Sequence, residues 1–232
     1  MPEAVVRANA FDQWFSQFTG VYNFLLVAVW GRRHRKALPY IRGPRVLEVS
    51  FGTGYLLSRY AGRFQTSGID YNATYVEAAR KKLKAMNIEA DLREGDAHAL
   101  PYPDASFETL INTDAFTLYQ DPKRAMAEFF RVLVPGGRLI LMEWDYPSNG
   151  NKLGRAWANL LRSLKTMPYV DFDTTLRGAG FLEYEDHAVG SLGLLHMYVA
   201  TKPETATVDV APPTAAHVNA NGLQTGEHAP SR

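Results

Sequence analysis

Nine residues, Val46 to Gly54, restrict this chain more than any others. Val46-Leu47-Glu48-Val49 is a short apolar run of the kind that forms a buried strand, and Ser50-Phe51-Gly52-Thr53-Gly54 follows as a tight turn. Leu56, Leu57 and Tyr60 then open a helix. Such a unit brings two things to one spot: glycines that let a ligand approach the backbone, and the free N–H groups of a helix start.

The same alternation continues to Thr201. Thr66 to Asp70 reads as a second strand, Ile88 to Arg93 as a third, Ser106 to Asn112 as a fourth and Arg138 to Trp144 as a fifth. Ala73 to Met86 reads as a helix with Val76, Ala79, Leu83 and Met86 on one side. Another helix starts at Pro122, capped by Asp121, and is closed by Pro135-Gly136-Gly137. Phe181 to Val189 and Leu194 to Thr201, turning around Gly190 and Gly193, look like a hairpin that adds an antiparallel strand. The fold expected is therefore α/β, a doubly wound and mostly parallel sheet with helices on both faces.

Ligands of open α/β sheets sit beyond the carboxyl ends of the strands, where strand order reverses, so the residues that end each strand matter most. Strand two ends in Asp70, whose carboxylate suits the paired hydroxyls of a ribose; strand three leads into Gly95-Asp96-Ala97, and strand four ends at Asn112-Thr113-Asp114. A nicotinamide site needs a third glycine or alanine, and Leu57 (counting from Gly52) or Tyr55 (counting from Ser50) stands there instead. A phosphate-binding P-loop fails because no Gly-Lys-Ser/Thr follows. With no cysteine in 232 residues, disulfides, cysteine-bound zinc, iron–sulfur clusters and a thiol nucleophile are all excluded. His217 and His228 are too isolated to suggest a metal, and none is expected.

Val46 to Gly54 resembles the first motif of the class I S-adenosylmethionine-dependent methyltransferases. Ile69-Asp70 resembles their second motif. Gly95-Asp96-Ala97, Leu100-Pro101-Tyr102-Pro103-Asp104 and Ser106-Phe107 resemble their third region, and Leu133 to Leu139 the turn before their fifth strand. The resemblance covers about Leu38 to Thr201 and implies a Rossmann-like, seven-stranded sheet. It also implies S-adenosylmethionine as cofactor and S-adenosylhomocysteine as product. On this resemblance Glu48 and the Gly52/Gly54 turn hold the methionine end, with Ser50 among the cofactor-binding residues, Asp70 the ribose hydroxyls and Asp96 the adenine amino group. Tyr71 lies against the adenine face, Ala97 gives a backbone contact, and Asn112 belongs to the same set. The sequence departs from the family at Ser50, usually glycine, and at Phe51, often small. A side chain at Ser50 is expected to bear on the turn and on the methionine part, and a binding module without catalysis rests on that departure alone.

Methyl transfer from a sulfonium is an in-line displacement with a good leaving group, so alignment supplies much of the rate. A general base is needed only if the nucleophile arrives protonated. Asp114 and Tyr22 are the catalytic candidates; Asp145 and Tyr119 follow, with His98, His187 and His196 behind them and His196 read as a packed histidine.

The ends differ from the middle. Residues 1–37 are read as a helical lid, 38–202 as the cofactor-binding domain and 203–232 as a disordered tail poor in apolar residues. Phe11, Trp14, Phe15 and Phe18 fall at helical spacing, and Val21 to Trp30 is apolar but far short of the roughly 20 residues that span a bilayer. No secretory signal is read at the start, and a cytoplasmic location is expected. Arg32 to Lys36 is a basic cluster hidden in a net charge of +1, so peripheral membrane contact through the N-terminal segment stays open. Leu153, Trp157, Leu160, Leu161 and Leu164 form a second helical stripe, expected to face the core. These aromatic and apolar segments favour a small hydrophobic, aromatic or lipid-like acceptor, and no basic groove for nucleic acid is visible. The layout, including Tyr22-Asn23 before the first strand, is similar to the quinone-biosynthesis and phosphatidylethanolamine N-methyltransferase branch. No pattern in the sequence specifies an oligomeric state.

Overall fold

A central sheet of seven strands organises the chain in this computed structural model, which describes residues 31–147, 151–163, 170–189 and 192–204. The strands are β1 (Arg45–Val49), β2 (Gln65–Asp70), β3 (Asp91–Glu94), β4 (Phe107–Thr113), β5 (Leu133–Trp144), β6 (Tyr184–Val189) and β7 (Leu195–Thr201), in the order β3-β2-β1-β4-β5-β7-β6. Pairing is parallel from β3 to β5, and β7 runs antiparallel to both of its neighbours. This is the expected doubly wound sheet with its terminal hairpin. The lid assigned to 1–37 and the tail assigned to 203–232 lie outside the described residues, apart from Gly31 to Ala37 and Pro203-Glu204.

The helices are α1 (Gly31–His34), which runs into a 3-10 segment at Arg35–Tyr40, then α2 (Leu57–Tyr60), α3 (Ala73–Ala85), α4 (Pro122–Val132), α5 (Lys152–Ser163) and α6 (Phe172–Ala179). Successive side chains of a strand point to opposite faces, so a strand apolar at every position builds two cores at once. On one face Leu110, Leu139 and Leu141 pack with Leu47, Val49, Phe116 and Phe129. On the other Ile111, Ile140 and Met142 pack with Val46, Leu57, Ala79 and Leu83. The helices begin where a polar cap allows. Asn72 accepts from the N–H groups of Thr74 and Tyr75 ahead of α3, and Asp121 accepts from Arg124 N–H ahead of α4, with Pro122 in the first turn as expected.

Three expectations need correction. The third strand pairs only from Asp91 to Glu94; Ile88 and Ala90 owe their apolar character to packing against the second core, not to the ladder. Pro135-Gly136-Gly137 does not close α4. That helix ends at Val132 because Leu133 already has extended backbone, and β5 starts there. Phe107 pairs with Leu133 and Thr109 with Arg138, so the Pro-Gly-Gly stretch forms an irregularity inside β5. Lys202 closes the corner, its Nζ donating to the carbonyls of Phe130 and Leu133 at 2.8 Å each, which meets open acceptors at the end of α4.

The third correction concerns α5. Leu153, Trp157 and Leu160 are 70%, 49% and 46% exposed, so this stripe faces outward rather than into the core. Among the described side chains of the helix the buried residues are the small Gly154 and Ala158. Periodicity locates an apolar face but says nothing of what lies against it. The Leu161 side chain and Leu164 fall outside the described residues.

Candidate functional site

Strand order reverses between β1 and β4, and the register sets Val49 beside Asn112, so the residues just past these two strands flank the crevice. Two of them, Ser50 and Asp114, have left-handed backbone, with φ of 57° and 52°. Such a conformation strains most side chains and tends to persist at ligand sites. Ser50 thus adopts the backbone that glycine would take there. Its N–H donates to Ile69 O (2.7 Å) and its Oγ meets Tyr119 Oη at 2.7 Å. Asn112 Nδ2 donates to Tyr119 Oη and to Val49 O, at 2.9 Å each. Burial pushes the Tyr119 hydroxyl well above its ordinary range, so it remains a neutral donor. The serine side chain is therefore drawn sideways into a hydrogen-bonded floor.

Phe51, the other departure, is accommodated by Gly68 on the neighbouring strand. A Cβ at Gly68 would stand 2.7 Å from the Phe51 ring. Gly52, with φ of 55°, projects toward open space: a Cβ built there meets no heavy atom within 4 Å. Its N–H donates to Asp70 Oδ2 at 2.8 Å, while Asp70 Oδ1 accepts from Asn72 N–H at 2.9 Å. Asp70 thus ties the turn after β1 to the start of α3. Gly54 N–H completes the turn by donating to Phe51 O (3.1 Å). Tyr71, next along, is 41% exposed at the rim. Asp96 accepts from His98 N–H (2.9 Å) and pairs with its Nδ1 (2.6 Å), beside the buried Ala97.

Glu48 lies deeper. It is fully buried one residue inside β1 and accepts from Tyr60 Oη at 2.9 Å. Burial, outweighing the Tyr60 bond and helped by the negative Asp70, raises its carboxyl from the usual 4.5 to about 8.

On the β4–β5 side, Asp114 Oδ2 meets His34 Nε2 at 2.5 Å, and Asp114 Oδ1 is buried without a partner among the described residues. Glu143, at the end of β5, accepts from Thr117 N–H (3.1 Å) and Trp144 N–H (2.9 Å). Burial and then the charge of Asp114 raise it to about 7. Asp145 is occupied by Tyr198 Oη at 2.5 Å, and His196 is packed against Asp186 and Gly193, as expected of a strand histidine. His187 pairs with Glu185 (2.8 Å). Tyr22 lies outside the described residues. No group of three or more His, Cys, Asp or Glu among the described residues is placed to hold a metal ion.

The structure therefore gathers Ser50, Gly52, Asp70, Asn112 and Asp114 at one crevice, with Tyr71, Asp96 and Ala97 along the carboxyl ends of β2 and β3. Sequence reasoning missed His34 and Glu143. His34 stood inside a basic cluster 80 residues from its partner, and no spacing rule links the two.

Two observations test whether a nucleoside sulfonium fits. The space before Gly52 is room that any Cβ there would fill, and the buried Oδ1 of Asn112, an acceptor suited to an ammonium group, has no partner among the described residues. Both lie at the strand-order reversal, and the residues fit. The strand order, and the place of this crevice within it, resemble those of class I S-adenosylmethionine-dependent methyltransferase domains.

Residues 47–141 match the profile of the family described as methyltransferase domain. A demethylmenaquinone methyltransferase of Deinococcus radiodurans is 39% identical over 109 residues, covering 46% of this chain and 45% of that protein. A phosphatidylethanolamine N-methyltransferase of Cereibacter sphaeroides is 34% identical over 123 residues, 52% of this chain and 61% of that one. The chain spans about half the length of these curated relatives. The crystal structure of an S-adenosylmethionine-dependent methyltransferase from Aquifex aeolicus superposes with a TM-score of 0.58 at 19% identity, over 80% of this chain and 97% of that one; this likeness speaks for the fold.

Proposed function

We propose that this protein methylates a small hydrophobic acceptor of the quinol type, at carbon, with S-adenosylmethionine as donor. When bound, that cofactor supplies an electrophilic methyl group on a sulfonium that departs as a neutral thioether. The open space before Gly52, at the strand-order reversal, is the observation that carries the donor half of the reading. Glu48, Ser50, Gly52, Gly54 and Asn112 serve the methionine end, Asp70 the ribose, and Tyr71, Asp96 and Ala97 the adenine. Asp114 faces the acceptor, and Tyr22 is the second acceptor-side candidate. The quinol choice is supported by the names of the relatives, several of which are demethylmenaquinone methyltransferases.

Calorimetry with S-adenosylhomocysteine, followed by methyl release on a reduced short-chain naphthoquinone lacking the ring methyl, tests this. Tight binding with methylated product is expected, and binding without transfer to any quinol, phenol or amine would leave a binding module.

A second acceptor class is favoured by one feature. The outward stripe of Leu153, Trp157 and Leu160 lies on a helix whose only charged residues are basic, Lys152, Arg155 and Arg162, a pattern that settles on anionic lipid surfaces. On that reading the acceptor is a phosphatidylethanolamine-type headgroup at the membrane surface. No helix among the described residues is long and apolar enough to cross a membrane. Co-sedimentation with vesicles containing anionic lipid, lost in Trp157→Ala, is the expected result; no pelleting at low salt ends this alternative.

A further inference from the structure

We propose that His34 is the base that receives the acceptor's proton, with Asp114 as the residue that positions it. The inference rests on the methyl-transfer reading above and adds to it an acceptor that arrives carrying an acidic hydroxyl.

The end of α1 brings His34 to the tip of β4, where Nε2 meets Asp114 Oδ2 at 2.5 Å, the two side chains being only 10% and 23% exposed. A carboxylate can only accept, so the hydrogen of a neutral imidazole resides on Nε2 and the lone pair on Nδ1. Nδ1 has no hydrogen-bond partner among the described residues. The pair is fixed from both sides. Asp114 sits on left-handed backbone whose N–H donates to Met142 O (2.8 Å), and the Tyr55 ring from the turn after β1 lies 6.4 Å from the imidazole, centre to centre. Gly31, at the start of α1, is packed so closely on Tyr55 that a Cβ there would clash with the ring. Among the described residues, the charged and titratable groups facing the pair are Tyr55, with Arg59 over its ring at 5.0 Å, and Glu143 from β5, besides Asp114 itself. The buried, partnerless Oδ1 of Asp114 leaves one acceptor for a donor group of the incoming molecule.

For a quinol the step is a proton transfer. The acceptor O–H bond breaks, the proton bonds to Nδ1, and the electron pair stays on oxygen. That pair spreads into the ring and enriches the carbon that takes the methyl group; this carbon then gives up its own hydrogen as a proton to solvent, and the oxygen recovers its proton from the imidazolium. The imidazolium so formed lies against the Asp114 carboxylate, which offsets its charge.

The test compares wild type with His34→Gln, whose side-chain amide can still donate to Asp114 but cannot take a proton. With the reduced naphthoquinone probe, kcat is expected to fall about 100-fold or more. The KM for the probe and the affinity for S-adenosylhomocysteine should stay within about threefold, since loss of a general base acts on the proton step alone. The acid limb of the wild-type kcat profile should be absent in the variant. Asp114→Asn should also lower kcat, with partial rescue in Asp114→Glu. A His34→Gln enzyme that keeps its kcat overturns the proposal and leaves the methyl-transfer reading standing. Turnover by wild type with neither the quinol nor phosphatidylethanolamine overturns both. Independently of activity, 15N spectra of the wild-type imidazole should show Nε2 protonated and Nδ1 bare; the opposite tautomer refutes the assignment even if the variant fails to fold.

Discussion

Replacing Glu48 by Gln should remove that residue's own share of the pH dependence of stability. The carboxyl is wholly buried beneath the turn after β1 and is raised from the usual 4.5 to about 8, mainly by burial. A folded state that binds a proton more tightly than the unfolded chain loses stability as pH rises between the two values. The slope is about 1.4 kcal/mol per pH unit for one proton. The contribution of Glu48 is thus greatest below the ordinary carboxylate range, declines through neutrality and levels off above about pH 8. Gln keeps the shape and an oxygen that accepts from Tyr60 Oη, but it does not titrate. Any fixed cost of the amide moves the variant's whole profile up or down and leaves its slope untouched. Glu143 titrates in both proteins and cancels in the comparison. Urea unfolding at pH 5.5, 6.5 and 7.5, without ligand, should show the wild type losing on the order of 2–3 kcal/mol relative to Glu48→Gln across that range. A constant difference between the two profiles would mean that Glu48 does not hold its proton in the fold, and the reasoning would fail.

Other outcomes follow from the same geometry. Gly52→Ala meets no atom within 4 Å, so thermal unfolding should register only the left-handed strain of about 1–2 kcal/mol, while calorimetry should find S-adenosylhomocysteine binding weakened at least tenfold because the new methyl fills the cradle. Ser50→Gly relieves left-handed strain and loses the bond to Tyr119, two effects of about 1 kcal/mol and opposite sign, so denaturation should place it near wild type. Ser50→Val, β-branched at positive φ, should fall clearly below both; equal stability of the valine variant would contradict the backbone assignment. Leu110→Ala, in the middle of β4 and fully buried, should cost about 3 kcal/mol in urea unfolding without altering the site.

The sheet was legible because strands buried on both faces leave continuous apolar runs: β1, β2 and β4 fall within a residue of their expected bounds. Asp121-Pro122 marked the start of α4 because capping is local chemistry. Legibility failed where the deciding partner is distant in sequence. Ile88 is apolar for packing rather than pairing, and the outward turn of α5 depends on what Gly154 and Ala158 touch. In the candidate site, the turn residues and Asp70 stand at strand ends and could be proposed from spacing, whereas the tie between Ser50 and Tyr119 joins positions 69 residues apart. The contact of His34 with Asp114 is likewise beyond any motif, since it exists only after α1 has crossed to the end of β4.

The strand order carries a consequence for synthesis. Among the described strands β7 comes last in the chain, yet it lies between β5 and β6, both made before it. While the chain is emerging from the ribosome, the outer edge of β5 has no partner and β6 has nothing to pair with. A five-stranded parallel core can assemble early, but it must wait with a bare, apolar edge until Leu195 to Thr201 arrive. That interval is the stage at which the newborn protein is most exposed to pairing with a neighbouring chain. A pause in translation between β6 and β7 would lengthen it.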